Sequence, residues 1–185
     1  MSGGDELAAL ESSLVAAAVA LGQALEGAGM RLACAESCTG GLIARAMTET
    51  GGSSRWFDRG FVTYTDDSKR QMLGVRSDTL AAHGAVSEAV AREMAAGALA
   101  ASAARMTVAV TGIAGPSGAV PGKPVGTVCF GWALQPAGGG EPLVVSQTLR
   151  VDGDRARVRL RSGQHALVRG LELLRRELQD RPPAA

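Results

Sequence analysis

The sequence predicts a single α/β domain in which a mixed β-sheet is flanked by helices, and three observations predict it. Short apolar or β-branched runs such as 31–35 and 106–110 alternate with longer stretches whose apolar residues recur three and four apart. Glycine- and proline-rich turns separate these runs. No internal repeat or linker divides the 185 residues, a length suited to one full hydrophobic core.

The first helix is expected from about Leu7 to Leu25. Leu7, Leu10, Leu14, Ala18, Leu21 and Leu25 share one face, and Gly27 and Gly29 end it. Arg31–Ala35 reads as a buried strand. Thr39-Gly40-Gly41 opens a second helix through Leu42, Ile43 and Met47, which Gly51 to Ser54 stops. Aromatic and β-branched residues from Phe57 to Thr65 predict a strand centred on Phe61 to Tyr64. Short helical pieces follow at Asp66–Leu73 and Thr79–His83, and Ser87 can cap a longer helix through Val90, Met94, Ala98 and Ala101. Met106–Val110 is a strand, and Thr111 to Pro116 reads as a loop. Val125–Ala133 and Leu143–Val151 form a pair around the turn-rich segment 136–142. A last helix from Arg155 to about Leu178 carries Leu160, Leu167, Leu171, Leu174 and Leu178 on one face, and a frayed tail begins near 179.

A net charge of +1 with scattered arginines gives no electrostatic case for nucleic acid or an anionic membrane. No apolar run is read as reaching the roughly 20 residues that cross a bilayer. The acidic start at Asp5 and Glu6 argues against a secretory signal. Met1 is expected to be the native start, and the cytoplasm is the expected location. Cys34, Cys38 and Cys129 are odd in number and lack metal-ligand spacing, so neither a disulfide framework nor a zinc site is expected. His83 and His165 lie outside glycine-rich or strand-end contexts. An activated serine here would therefore use a base other than histidine.

Lysine is the alternative base. Only two of the nineteen basic residues are lysines, Lys69 and Lys123, and Lys69 stands five places after the only tyrosine, Tyr64. A desolvated lysine can lose its charge near neutral pH and deprotonate a hydroxyl, which arginine cannot do. Lys123 sits in a proline-glycine loop, where solvation explains it. The segment Glu36-Ser37-Cys38-Thr39-Gly40-Gly41 follows the first strand and supplies such a hydroxyl in Ser37; a helix cap explains that hydroxyl equally. The free amides of the helix start at Gly40 and Gly41 could hold an oxyanion. Cys38 is a weaker candidate nucleophile. The polar segments after the first three strands share one end of the sheet, where open α/β sheets bind ligands. Arg155 opens the last helix, where a cation opposes the helix dipole. Either Asp152 and Asp154 compensate it, or it contributes to a phosphate site.

These residues resemble the CinA C-terminal family, specifically its stand-alone nicotinamide mononucleotide deamidases. The likeness runs from about Leu21 to Leu174. It includes Ala35–Gly41, Gly60–Tyr64 with Lys69, Leu73–Val75, His83–Ser87, Thr111–Pro116, Lys123–Thr127 and Gly153–Arg155. It implies a layered α/β fold and hydrolysis of the carboxamide of a small-molecule nucleotide, without cofactor or metal, in an enzyme generally found as a homo-oligomer. Ser37 would be the nucleophile and Lys69 its base, with Tyr64 beside them. Glu36, Thr39, Gly40, Gly41, Thr111 and Gly112 would form the substrate pocket, with Arg155 contacting the phosphate. The family often has Tyr-Ser-Asn-Glu-Ala-Lys where this chain has Tyr64 to Lys69. Asp66 and Asp67 would favour the lysine ammonium unless they point away. A non-catalytic nucleotide-binding or protein-interaction module is the other class that the resemblance allows.

Overall fold

The computed structural model describes residues 3–136 and 138–180; the expected tail, apart from Gln179 and Asp180, lies outside them. In chain order the elements are α1 (Gly3–Gly27), β1 (Leu32–Glu36), α2 (Leu42–Thr48), β2 (Phe57–Val62), α3 (Asp66–Leu73) and α4 (Ser77–His83). They continue with α5 (Glu88–Ala100), β3 (Met106–Gly112), β4 (Thr127–Leu134), β5 (Leu143–Arg150) and α6 (Arg155–Gln179). The sheet order is β2-β1-β3-β4-β5. β1 pairs in parallel with β2 and β3, whereas β4 is antiparallel to β3 and to β5. The sheet is mixed, as expected.

Alternation along the strands assigns large side chains to one face and small ones to the other. Leu32, Cys34, Met106, Val108, Val110, Phe130 and Trp132 pack with Leu14, Leu21, Leu25, Ile43, Leu167 and Leu174 from α1, α2 and α6. On the opposite face, Ala35, Ala109 and Ala133 meet Val90, Met94, Ala95 and Ala98 of α5 and Leu73 of α3. The small face lets the alanine-rich α5 come close. A Cβ built on Gly131 would lie 2.2 Å from the Ala91 carbonyl oxygen, and one on Gly97 would lie 1.9 Å from that of Leu73. One sheet-helix contact at backbone distance therefore fixes α5 on the sheet, and one helix-helix contact fixes α3 on α5.

The structure moves three expected boundaries. α1 starts at Gly3, because Asp5 and Glu6 suit a first turn and Glu6 pairs with Arg157 and Arg161 of α6. β2 ends at Val62 rather than spanning Thr63 and Tyr64. Thr65 caps α3, accepting from Ser68 N while Ser68 Oγ accepts from Thr65 N, and this reciprocal cap prevails over the strand preference of the residues before it. Thr111 and Gly112 extend β3 instead of forming a loop, pairing with Cys129 and Val128. A Cβ on Gly112 would sit 2.8 Å from the Thr127 carbonyl oxygen, so this glycine serves close strand approach.

The expectation about apolar runs also changes. α1 has 25 residues and a mean hydropathy of 1.5 in its most apolar window, so by length and composition it could cross a membrane. In the fold it packs along α6, with Leu14, Ala18, Leu21 and Leu25 buried.

Gly97→Ala forces α5 away from the Leu73 backbone. It should destabilise the domain by roughly 1–3 kcal/mol in denaturant unfolding, the range for overpacking, whereas alanine at exposed Gly27 should have little effect.

Candidate active site

The segments leaving the parallel strands β1, β2 and β3 converge at one end of the sheet. Ser37 N donates to Val110 O of β3 at 2.9 Å, and Thr63 N donates to Glu36 O at 2.8 Å, so the chain stays pinned just beyond each strand. Between them lies a cleft of about 280 Å³, whose lining includes Ser37, Tyr64, Asp66, Lys69, Thr111 and Arg155. Of the residues expected in the pocket, Gly112 also lines it. Glu36, Thr39, Gly40 and Gly41 do not.

Glu36 has no exposed surface, and its carboxylate faces α2. It accepts from Gly41 N at 2.9 Å, Ile43 N at 3.1 Å and Ala44 N at 2.9 Å, and from Cys34 Sγ at 3.4 Å. An internal anion thus satisfies the amides that a helix start would otherwise offer to a ligand. Gly40 N is also committed, donating to Ser37 O at 3.1 Å. This corrects the expectation that the Gly40 and Gly41 amides hold an oxyanion and that Glu36 contacts substrate. Thr39 is fully buried with an unpartnered hydroxyl, and its carbonyl accepts from Arg159 Nη2 at 2.7 Å and from Leu42 N at 3.4 Å. Two amides inside the turn make no bond to another residue, although Cys38 N–H faces its own sulfur. Among the described residues, neither Cys38 N–H nor Thr39 N–H donates to any other residue.

Lys69 sits on the inner face of α3 with 1 % of its surface exposed. Its Nζ lies 3.2 Å from Ser37 Oγ and 3.0 Å from Thr63 O. Both protonation states fit these positions. An ammonium donates to both oxygens, while a neutral amine keeps its bond to Thr63 O and accepts the Ser37 proton. Burial pushes the amine below its ordinary lysine value, opposed by the nearby charge of Asp66 and by Cys38. Asp67 instead pairs with Arg70 at the surface. Of the two aspartates expected to favour the ammonium, only Asp66 acts on it.

Tyr64 is 56 % exposed, and its hydroxyl accepts from Arg155 Nη2 at 2.8 Å rather than meeting Ser37 or Lys69. Arg155 Nη1 donates to Gly115 O at 2.8 Å. Asp154 is the cap of α6, accepting from Arg157 N at 2.9 Å, so Arg155 is left to bridge two walls of the cleft. Thr111 Oγ1 donates to Ala85 O at 2.9 Å, which ties the end of β3 to the segment before α5. Burial raises the Cys38 thiol to about 12, although Arg159 and Arg155 act in the other direction, so its sulfur is a poor nucleophile. Among the described residues no three His, Cys, Asp or Glu side chains are grouped to hold a metal ion.

The family model of the CinA C-terminal domain matches residues 15–178. The chain belongs to the CinA C-terminal domain family. Among similar proteins, nicotinamide-nucleotide amidohydrolase PncC of Enterobacter agglomerans is 48 % identical over 161 residues, covering 87 % of this chain and 95 % of that protein. The Escherichia coli K12 protein of the same name is 47 % identical over 157 residues, covering 85 % and 92 %. A putative competence-damage inducible protein of Symbiobacterium thermophilum is 54 % identical over 152 residues. There the alignment covers 80 % of this chain but only 36 % of the longer protein. The crystal structure of competence/damage inducible protein CihA from Agrobacterium tumefaciens superposes with a TM-score of 0.81 at 44 % identity, covering 88 % of this chain and 96 % of that one.

Two features of this CinA domain escaped the sequence reading. One is the Cys38 amide, which lies at the cleft and bonds to no other residue. The other is Arg159, one helical turn beyond Arg155, which reaches the turn that carries Ser37. The spacing of Arg155 and Arg159 was the available signal, since residues four apart share a helix face.

Removing the Glu36 carboxylate leaves three helix amides without an acceptor. Glu36→Ala should lower the unfolding free energy by roughly 2–4 kcal/mol, measured by denaturant unfolding. A change within experimental error would mean that the turn does not depend on it.

Proposed function

We propose that this chain is a nicotinamide-nucleotide amidohydrolase that hydrolyses the carboxamide of nicotinamide mononucleotide to nicotinate mononucleotide and ammonia. The observation that carries the reading is the 3.2 Å approach of the buried Lys69 amine to Ser37 Oγ at the floor of an open cleft. Relatives that this chain matches over nearly their whole length are named for that activity. The charges in the cleft suit the substrate. Asp66 offers a negative group for the cationic pyridinium, and Arg155 offers N–H donors for the phosphate. The proposal includes a homo-oligomer in the cytoplasm that needs no cofactor, nucleic acid or membrane.

Neutral Lys69 takes the Ser37 proton as Ser37 Oγ attacks the carboxamide carbon. The oxyanion that develops is received by the amide of Cys38, which lines the cleft, because those of Gly40 and Gly41 are already bonded. The Lys69 ammonium then protonates the leaving nitrogen, ammonia departs, and an ester to Ser37 remains. Lys69 next takes a proton from water as that water attacks the ester carbon. Nicotinate mononucleotide is released, and Ser37 regains its proton from Lys69. Thr63 O holds the amine in place through both half-reactions. Tyr64, bonded to Arg155, shapes the substrate wall and does not relay a proton in this scheme.

Ser37→Ala and Lys69→Met should each reduce ammonia release from nicotinamide mononucleotide by several orders of magnitude, on the order of 10³-fold or more, with folding retained. The base works only when neutral, so kcat/KM should fall as pH drops through the Lys69 pKa. Burial lowers that pKa, so the fall should be centred below the ordinary lysine range. Full turnover by either variant, or a rate that rises as pH falls, would contradict the assignment.

A further inference from the structure

Arg159 makes an unusual contact for a guanidinium this close to a reacting group. It bonds neither substrate-facing atoms nor a carboxylate; its Nη2 donates to the Thr39 carbonyl at 2.7 Å, and its buried Nε has no partner. Gly40 makes room for it. A Cβ there would stand 3.2 Å from Arg159 Nη2, and the residue has a φ of +59°.

The bonds beyond that carbonyl form an ordered chain. Thr39 C=O and Gly40 N–H belong to one peptide group, and Gly40 N–H donates to Ser37 O at 3.1 Å. Ser37 C=O and Cys38 N–H belong to the next peptide group, and Cys38 N–H lies at the cleft without a bond to another residue. A peptide group that accepts a bond at oxygen becomes a stronger donor at nitrogen, so such chains polarise cooperatively. A charged donor at the head of the chain strengthens the effect.

We propose that Arg159 is a positioning residue that orients and polarises the Cys38 amide for the oxyanion, through the Thr39–Gly40 and Ser37–Cys38 peptide groups. The inference rests on the reading of Ser37 as nucleophile. It assigns the two helical neighbours different tasks: Arg155 faces the cleft, whereas Arg159 acts from behind the turn. Its effect is largest where negative charge develops on the substrate oxygen, and small in the bound ground state.

The test compares wild type with Arg159→Ala and Arg159→Lys in ammonia release from nicotinamide mononucleotide, with thermal unfolding and amide ¹H–¹⁵N spectra alongside. Arg159→Ala should lower kcat roughly 10- to 50-fold, less than the loss of a whole oxyanion donor, with KM changed less than about 2-fold. Arg159→Lys, which can still bring a charged N–H to the Thr39 carbonyl, should recover much of the loss. The Gly40 and Cys38 amide proton resonances should move upfield in Arg159→Ala. An unchanged kcat in an active enzyme, with those resonances unmoved, overturns the inference. So does a loss that appears equally in KM and in melting temperature without rescue by lysine, which is the mark of a merely structural contact. If wild type releases no ammonia but the two amide resonances still move, the relay stands and the amidohydrolase reading fails.

Discussion

A carboxylate with no access to solvent, Glu36, gathers three amides at the start of α2 while its own backbone continues the parallel ladder between β1 and β2. One residue therefore belongs to the sheet through its main chain and to the helix through its side chain. The five residues between the strand and the helix cannot shift without breaking one set of bonds or the other. Ser37 follows directly, and Gly40 N–H closes the turn back onto its carbonyl. Because Glu36 occupies the helix start and Gly40 N–H is bonded to Ser37 O, the proposed mechanism relies on the Cys38 amide for the oxyanion.

The proposed base, Lys69, is fixed from the opposite layer. α5 lies close against the small face of the sheet at Gly131 and close against the end of α3 at Gly97, which holds Lys69 over the turn. Thr63 O, just past β2, completes the seat. Burial that suits a neutral amine also works against the fold. The folded chain holds the Lys69 proton less tightly than the unfolded chain does, so stability falls as pH is lowered from the ordinary lysine value toward the depressed one. The tight α3–α5 contact offsets that cost with apolar packing around Leu73 and Val75.

Much of this arrangement could be read from residue types. Helical spacing in α1 and α6, the apolar strands at β1 and β3, and the paired strands β4 and β5 all follow local rules that the tertiary structure respects. Lys69 and Ser37 were legible because scarcity of lysine and the polar turn after a strand are sequence facts. The role of the Gly40 and Gly41 amides was not, because an acid within the same segment can face either the ligand or the helix, and only the fold decides which. Thr111 and Gly112 misled for a related reason: glycine marks turns and close strand approach alike, and β4 was needed to tell them apart. Arg159 was hidden among many arginines, since its target is a backbone carbonyl that carries no sequence signature.

The proposed mechanism requires Lys69 to lose its charge next to Ser37, and the chain allows that to be observed directly. With only two lysines, a protein labelled in lysine gives two side-chain signals to follow by NMR across pH, and Lys69→Met assigns them. Lys69 should titrate clearly below the ordinary lysine range, without the protein unfolding in that interval. A Lys69 signal that titrates within the ordinary lysine range, or above it, would show that the amine beside Ser37 is an ordinary ammonium and would contradict its role as the base.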